Sequence, residues 1–104
     1  MTRRLILDDD PDRHAAFEKR YAGDQRTHVY NVAEFELAVE IGRYDVVHLN
    51  HDDDLDTRLA AGWLARANWT PDTIYIHYGP PAVYRLLREH GFTDVRVEPF
   101  SFDG

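Results

Sequence analysis

Short apolar runs alternate with amphipathic stretches along the whole chain. Leu5-Ile6-Leu7 follows Arg4, ends at an Asp knot, and predicts a first strand over 4–7. Pro11 suits the first turn of a helix, where its missing N–H has no partner to lose. The pattern predicts that helix over 12–22, with Ala15, Ala16, Phe17 and Tyr21 turned inward and Gly23-Asp24 ending it. Residues 27–30 are β-branched and aromatic and predict a second strand. Asn31 can cap the next helix, along which Val32, Phe35, Val39 and Gly42 recur at helical spacing. A third strand is predicted over 45–50. Asp54 can cap a third helix whose Leu55, Leu59, Ala60, Trp63, Leu64 and Ala67 form a wide apolar stripe. Pro71-Asp72 is a turn, and 73–77 a fourth strand. Gly79-Pro80-Pro81 opens a fourth helix, with Val83, Leu86, Leu87 and His90 on one side and Gly91 past its end. Residues 95–100 predict a fifth strand.

Strands joined by helices run parallel, with right-handed crossovers. A single α/β domain over 1–104, of receiver or flavodoxin-like type with strand order 2-1-3-4-5, satisfies both rules. In such sheets ligands bind beyond the carboxyl ends of the strands, where strands one and three diverge. Asp8-Asp9-Asp10 and Asp52-Asp53-Asp54 fall at those two ends. A fifth helix is not expected. Helices two to four then cover one face and helix one alone the other, leaving part of it bare. Bare apolar patches usually mark an interface, so a homodimer burying this face is expected. The alternative is that Phe100 and Phe102 fold back over it.

Composition narrows the setting. The 104 residues carry a formal charge of −7, which disfavours nonspecific nucleic-acid binding. No apolar run approaches the roughly 20 residues of a membrane span. The opening segment is too short for a signal-peptide core, so a cytoplasmic protein is expected. With no cysteine, disulfides, thiolate metal sites and cysteine nucleophiles are excluded.

Three segments carry candidate chemistry. Adjacent carboxylates such as Asp8 and Asp9 repel and need compensation; a divalent cation commonly supplies it. The bland reading is a solvated loop whose Asp caps helix one. After strand three, His51 and Asp52 stand where the chain leaves the sheet, and an imidazole there can serve as acid, base or ligand. His77 ends strand four, next to strand three. His48, inside a covered strand, reads as a core or near-site histidine.

These residues resemble the cyclic-phosphate-processing receiver domains. The resemblance rests on Leu5-Ile6-Leu7-Asp8-Asp9, on Leu49-Asn50-His51-Asp52 and on His77, in matching order over nearly the whole chain. It implies action on cyclic phosphate ends of nucleotides or RNA. This sequence departs from the family pattern at Asn50, where that pattern has Asp and ordinary receivers hold the phosphoacceptor. It departs again at Tyr78 and Pro80, which replace a Ser and an Asn. Pro99-Phe100 stands where ordinary receivers keep a Lys.

Two functions from different classes follow. In one, a metal (Mg²⁺ or Mn²⁺, with Zn²⁺ as an alternative) held by Asp8, Asp9 and Asp52 offsets phosphate charge, while His51 or His77, with Asp52, handles protons in a phosphoesterase. In the other, the site is degenerate and the domain is a pseudo-receiver, acting by dimerisation, protein docking or nucleotide sensing.

Overall fold

In the computed structural model five parallel strands form one sheet in the order β2-β1-β3-β4-β5. The elements are β1 (Arg3–Leu7), α1 (Pro11–Arg20), β2 (Gln25–Val29), α2 (Val32–Ile41), β3 (Val46–Leu49), α3 (Asp54–Arg66), β4 (Thr73–Ile76), α4 (Pro81–Glu89) and β5 (Val95–Val97). The structure describes residues 1–50, 54–77 and 81–99, with the backbone alone for 54–56. The expected doubly wound order is therefore present, with four helices among the described residues. The fifth strand is shorter than expected, although the Glu98 N–H still donates to the Ile76 carbonyl at 3.0 Å. Among the described residues no helix is long and apolar enough to cross a membrane.

Strand side chains alternate between faces. Leu5 and Leu7, Val47 and Leu49, and Ile74 and Ile76 form one set, buried with Phe35, Ala38 and Val39 of α2, Ala60 and Leu64 of α3, and Val83 and Leu87 of α4. Fully burying each such side chain is worth about 1.5–3 kcal/mol, which makes this layer the main core. Asn31 caps α2 by accepting from the Glu34 N–H at 2.9 Å, and Glu34 in turn accepts from the Tyr30 N–H at 2.8 Å. Trp69 ties the layer together by donating its indole N–H to the Val39 carbonyl at 3.0 Å.

The opposite face is built differently. Its alternate positions are Arg4, Ile6 and Asp8 on β1 and its end, His48 and Asn50 on β3 and its end, Tyr75 and His77 on β4 and its end, and Arg96 on β5. α1 lies against them, capped by Asp10, which accepts from the Asp12 N–H at 2.8 Å. Its buried residues are Phe17, as expected, and His14; Ala16 and Tyr21 are half-buried and Ala15 is exposed. On the other layer, Leu59 and His90 are also exposed, and Thr57, Ala60, Ala61 and Leu64 fill the buried positions of α3.

The region beyond α1 is thus not the apolar patch that a missing helix suggested. Its described residues are polar or aromatic apart from Pro99: Arg20, Tyr21, Tyr75, His77, Arg96, Glu98 and Pro99 border a cleft of about 200 Å³. Phe100 and Phe102 lie outside the described residues.

Candidate functional site

Parallel pairing brings three strand ends to one edge. Leu7 pairs with Leu49, and Leu49 with Ile76. The next residues continue the ladder: the Asn50 N–H donates to the Leu7 carbonyl at 2.9 Å, and the His77 N–H to the Leu49 carbonyl at 2.8 Å. Asp8, Asn50 and His77 therefore follow their strands side by side. Asp8 and Asn50 are both buried, at 0% and 2% exposure. His51 and Asp52 lie outside the described residues.

Asp8 is the most heavily bonded side chain at this edge. Its Oδ1 accepts from the Asp10 N–H at 2.9 Å and from Arg13 Nε at 3.0 Å; its Oδ2 accepts from Arg13 Nε at 2.8 Å and from Asn50 Nδ2 at 2.7 Å. A carboxylate offers about four lone-pair directions; three N–H donors meet them, with that of Arg13 Nε shared between both oxygens. Asp9, exposed, accepts from Arg13 Nη2 at 3.2 Å, and Asp10 stands 3.7 Å from Arg13 Nη1. The compensation expected of a metal ion is supplied by a guanidinium. Among the described residues no three potential ligands converge on one point. Among the described residues the donor set does not fit a divalent ion: Asp8 already takes three N–H donors, and Arg13 sets a cation across Asp8, Asp9 and Asp10.

A second network runs beneath α1. Arg4 donates from Nη1 to His48 Nε2 at 3.0 Å. An arginine has only hydrogens to give, so this nitrogen is the unprotonated one. His48 then donates from Nδ1 to His77 Nε2 at 2.9 Å, and His77 donates from Nδ1 to the Glu98 carbonyl at 2.7 Å. The two ends of the string fix both tautomers, and both rings are neutral. Burial, foremost, and the neighbouring His77 and Arg4 push the His48 imidazole down to about 2. Burial also lowers His77. Arg4 sits 3.7 Å from the Tyr21 ring centre and pairs with Asp24. The rings of Phe17 and His48 lie 5.0 Å apart, and those of His48 and Tyr75 stack at 4.9 Å.

A third cluster joins α1 to the edge strand β2. His14 donates from Nε2 to the Asp8 carbonyl at 2.7 Å, and His28 Nε2 faces the Glu18 carboxylate at 2.6 Å. Their Nδ1 atoms meet at 2.6 Å, a contact that requires one proton between the two rings. His14 carries its proton on Nε2, so as a neutral ring it accepts at Nδ1, and burial, foremost, lowers it. Glu18, held below the usual carboxylate range chiefly by its bond to His28, and Arg26 complete this cluster.

The sequence pointed to Asp8, Asp9 and His77, and the structure brings Asp8 and His77 to one edge. Arg13, Arg4, His14 and His28 escaped notice. One signal for Arg13 was present: a cation one helical turn beyond an acidic knot at a strand end.

No sequence family matches the chain, and none of the curated proteins does. Solved structures do. The receiver domain of a sensor histidine kinase from Pseudomonas aeruginosa, solved with a magnesium ion coordinated in its active-site cleft, superposes with a TM-score of 0.71 at 18% identity, over 96% of this chain and 87% of that one. The signal receiver domain of a histidine kinase from Syntrophus aciditrophicus gives a TM-score of 0.66 at 18% identity, over 97% of this chain and 81% of that one. At such identities the likeness is one of fold, and the fold of this chain is the receiver type.

Proposed function

We propose that this chain is a pseudo-receiver: a receiver-fold binding module that works by docking and carries no phosphoryl group. The observation that supports it is the 2.7 Å bond from Asn50 Nδ2 to Asp8. Covalent phosphoryl transfer to this fold's third strand end needs a carboxylate nucleophile. An amide nitrogen donating to a buried anion has no lone pair for that task. The partner proposed for this reading is a second copy of the chain.

The test is to incubate the purified protein with acetyl phosphate and Mg²⁺ and to measure intact mass, then to assay 2′,3′-cyclic nucleotides with Mg²⁺, Mn²⁺ or Zn²⁺. Neither adduct nor turnover is expected. Sedimentation should report a dimer. A phosphoryl adduct overturns the reading.

One observation favours the phosphoesterase reading instead: Asp8 and His77 reach one edge from β1 and β4, with Asn50 at the end of β3 between them, and His51 and Asp52 follow Asn50 in the sequence. On that reading a metal at Asp8, Asp9 and Asp52 would act on cyclic phosphate ends. It requires Arg13 to release Asp8, and His77 to free one of two engaged nitrogens. Metal-dependent turnover in the same assay would select it, and calorimetric binding of the nucleotide without turnover would select a sensor.

A further inference from the structure

We propose that Arg13 is the resident counter-cation of this acidic edge, so that the wild-type site takes no divalent metal and becomes a cation site only when Arg13 is removed. This goes beyond the docking reading and does not depend on it, since a docking module could still bind a metal.

The geometry is that of one cation shared among three anions. Arg13 is the third residue of α1, and its side chain turns back over the loop that leads into the helix. Nε spans both oxygens of Asp8 at 3.0 and 2.8 Å, Nη2 reaches Asp9 at 3.2 Å and Nη1 lies 3.7 Å from Asp10. Each guanidinium nitrogen thus faces a different carboxylate. A guanidinium stays charged at any pH the protein meets, and its planar fork matches carboxylate geometry. Arg13 is itself only 22% exposed and Asp8 not at all, so the pair is poorly screened.

Asn50 favours the same outcome. A carboxylate at its position would add a fourth anion to an edge where one guanidinium already serves three. The neutral amide adds none, and it fills a lone pair of Asp8 that a metal would need. Mg²⁺ demands near-octahedral oxygen ligation and gives up water reluctantly, so it competes poorly for a carboxylate that already takes three N–H donors, one of them from a cation.

The experiment is Mn²⁺ titration followed by electron paramagnetic resonance, with Mg²⁺-dependent melting in parallel, on wild type, Arg13→Gln and Asp8→Asn/Arg13→Gln. Wild type should show no saturable binding at millimolar metal and no change in Tm. Arg13→Gln should bind Mn²⁺ at least tenfold more tightly than wild type and gain Tm with Mg²⁺, and the double variant should lose both. Saturable binding by wild type overturns the proposal, as does an Arg13→Gln protein that binds no better. Should Arg13→Gln fail to fold, the wild-type Arg13 Nε–H resonance decides. It should be slow to exchange and unmoved by Mg²⁺, and its loss or displacement on adding Mg²⁺ overturns the proposal. No phosphoryl-transfer assay enters, so either reading can fail alone.

Discussion

Asn50 holds the end of β3 against the end of β1 by donating to the buried Asp8 carboxylate over 2.7 Å. Hydrogen bonds to charged groups are worth about 1.5–3 kcal/mol net. Asn50→Asp replaces the donor with a second anion, so a loss of at least about 2 kcal/mol at neutral pH is expected by urea denaturation. The loss should shrink on acidification, because one carboxyl of such a pair takes up a proton readily and can then donate. A variant as stable as wild type at pH 7 would mean that the bond contributes nothing.

Arg13 and Asp9 should differ sharply on substitution. Arg13→Ala leaves the buried Asp8 without its cation, and stripping one partner from a buried pair costs about 3–5 kcal/mol. With Arg13 22% exposed, about 3 kcal/mol is expected. Asp9 is 44% exposed, and exposed pairs are worth about 0–1 kcal/mol, so Asp9→Asn should stay within that range. Equal losses would contradict the ordering.

The neutral histidines predict acid sensitivity. His48, His14 and His77 are all lowered in the folded state, each mainly by burial. The unfolded chain then binds more protons, so stability is full above the unfolded value near 6.5 and is lost as pH falls below it. For His48 the loss continues toward about 2. At about 1.4 kcal/mol per pH unit, His48 alone should cost about 2 kcal/mol between pH 6.5 and 5. The check is unfolding free energy against pH, with the His48 ring resonances followed by NMR. Those resonances should stay fixed down to pH 4, and a midpoint near 6 would contradict the neutral string.

Phe17 is the large apolar anchor of α1, fully buried and in ring contact with His48 and His77. Phe17→Ala should cost about 3–5 kcal/mol, measured by chemical denaturation. A loss below about 1 kcal/mol would show that polar contacts alone hold α1.

The α2–α3–α4 side was legible because Leu5, Leu7, Val47, Leu49, Ile74 and Ile76 are apolar and the helices facing them repeat at helical spacing. The strand order followed from crossover handedness, and Asn31 and Pro11 announced two helix starts. The α1 side was misread. A sheet covered on both faces usually has strands that are apolar throughout, and that expectation hid the alternation of Arg4 with Leu5 and of His48 with Leu49. Arg13 was missed for another reason: its target lies five positions back, beyond the helix, where helical spacing rules do not reach. Of the candidate site, Asp8 and His77 could be placed from topology alone. What occupies Asp8 depends on side-chain geometry that no periodicity encodes.

The string from Arg4 to the Glu98 carbonyl has a direction, and that direction restricts which side chains position 48 can accept. The residue there must take a hydrogen from one neighbour and give one to the other. Leucine would fill the space but strand a guanidinium hydrogen and an imidazole lone pair beneath α1. Lysine would bring hydrogens to both neighbours and a lone pair to neither. Glutamine, with an oxygen and an amide on one flat end, is the neutral replacement of similar reach that can satisfy both. Drift at this site is therefore narrow, and an engineer redesigning the α1 layer would have to exchange Arg4, His48 and His77 together.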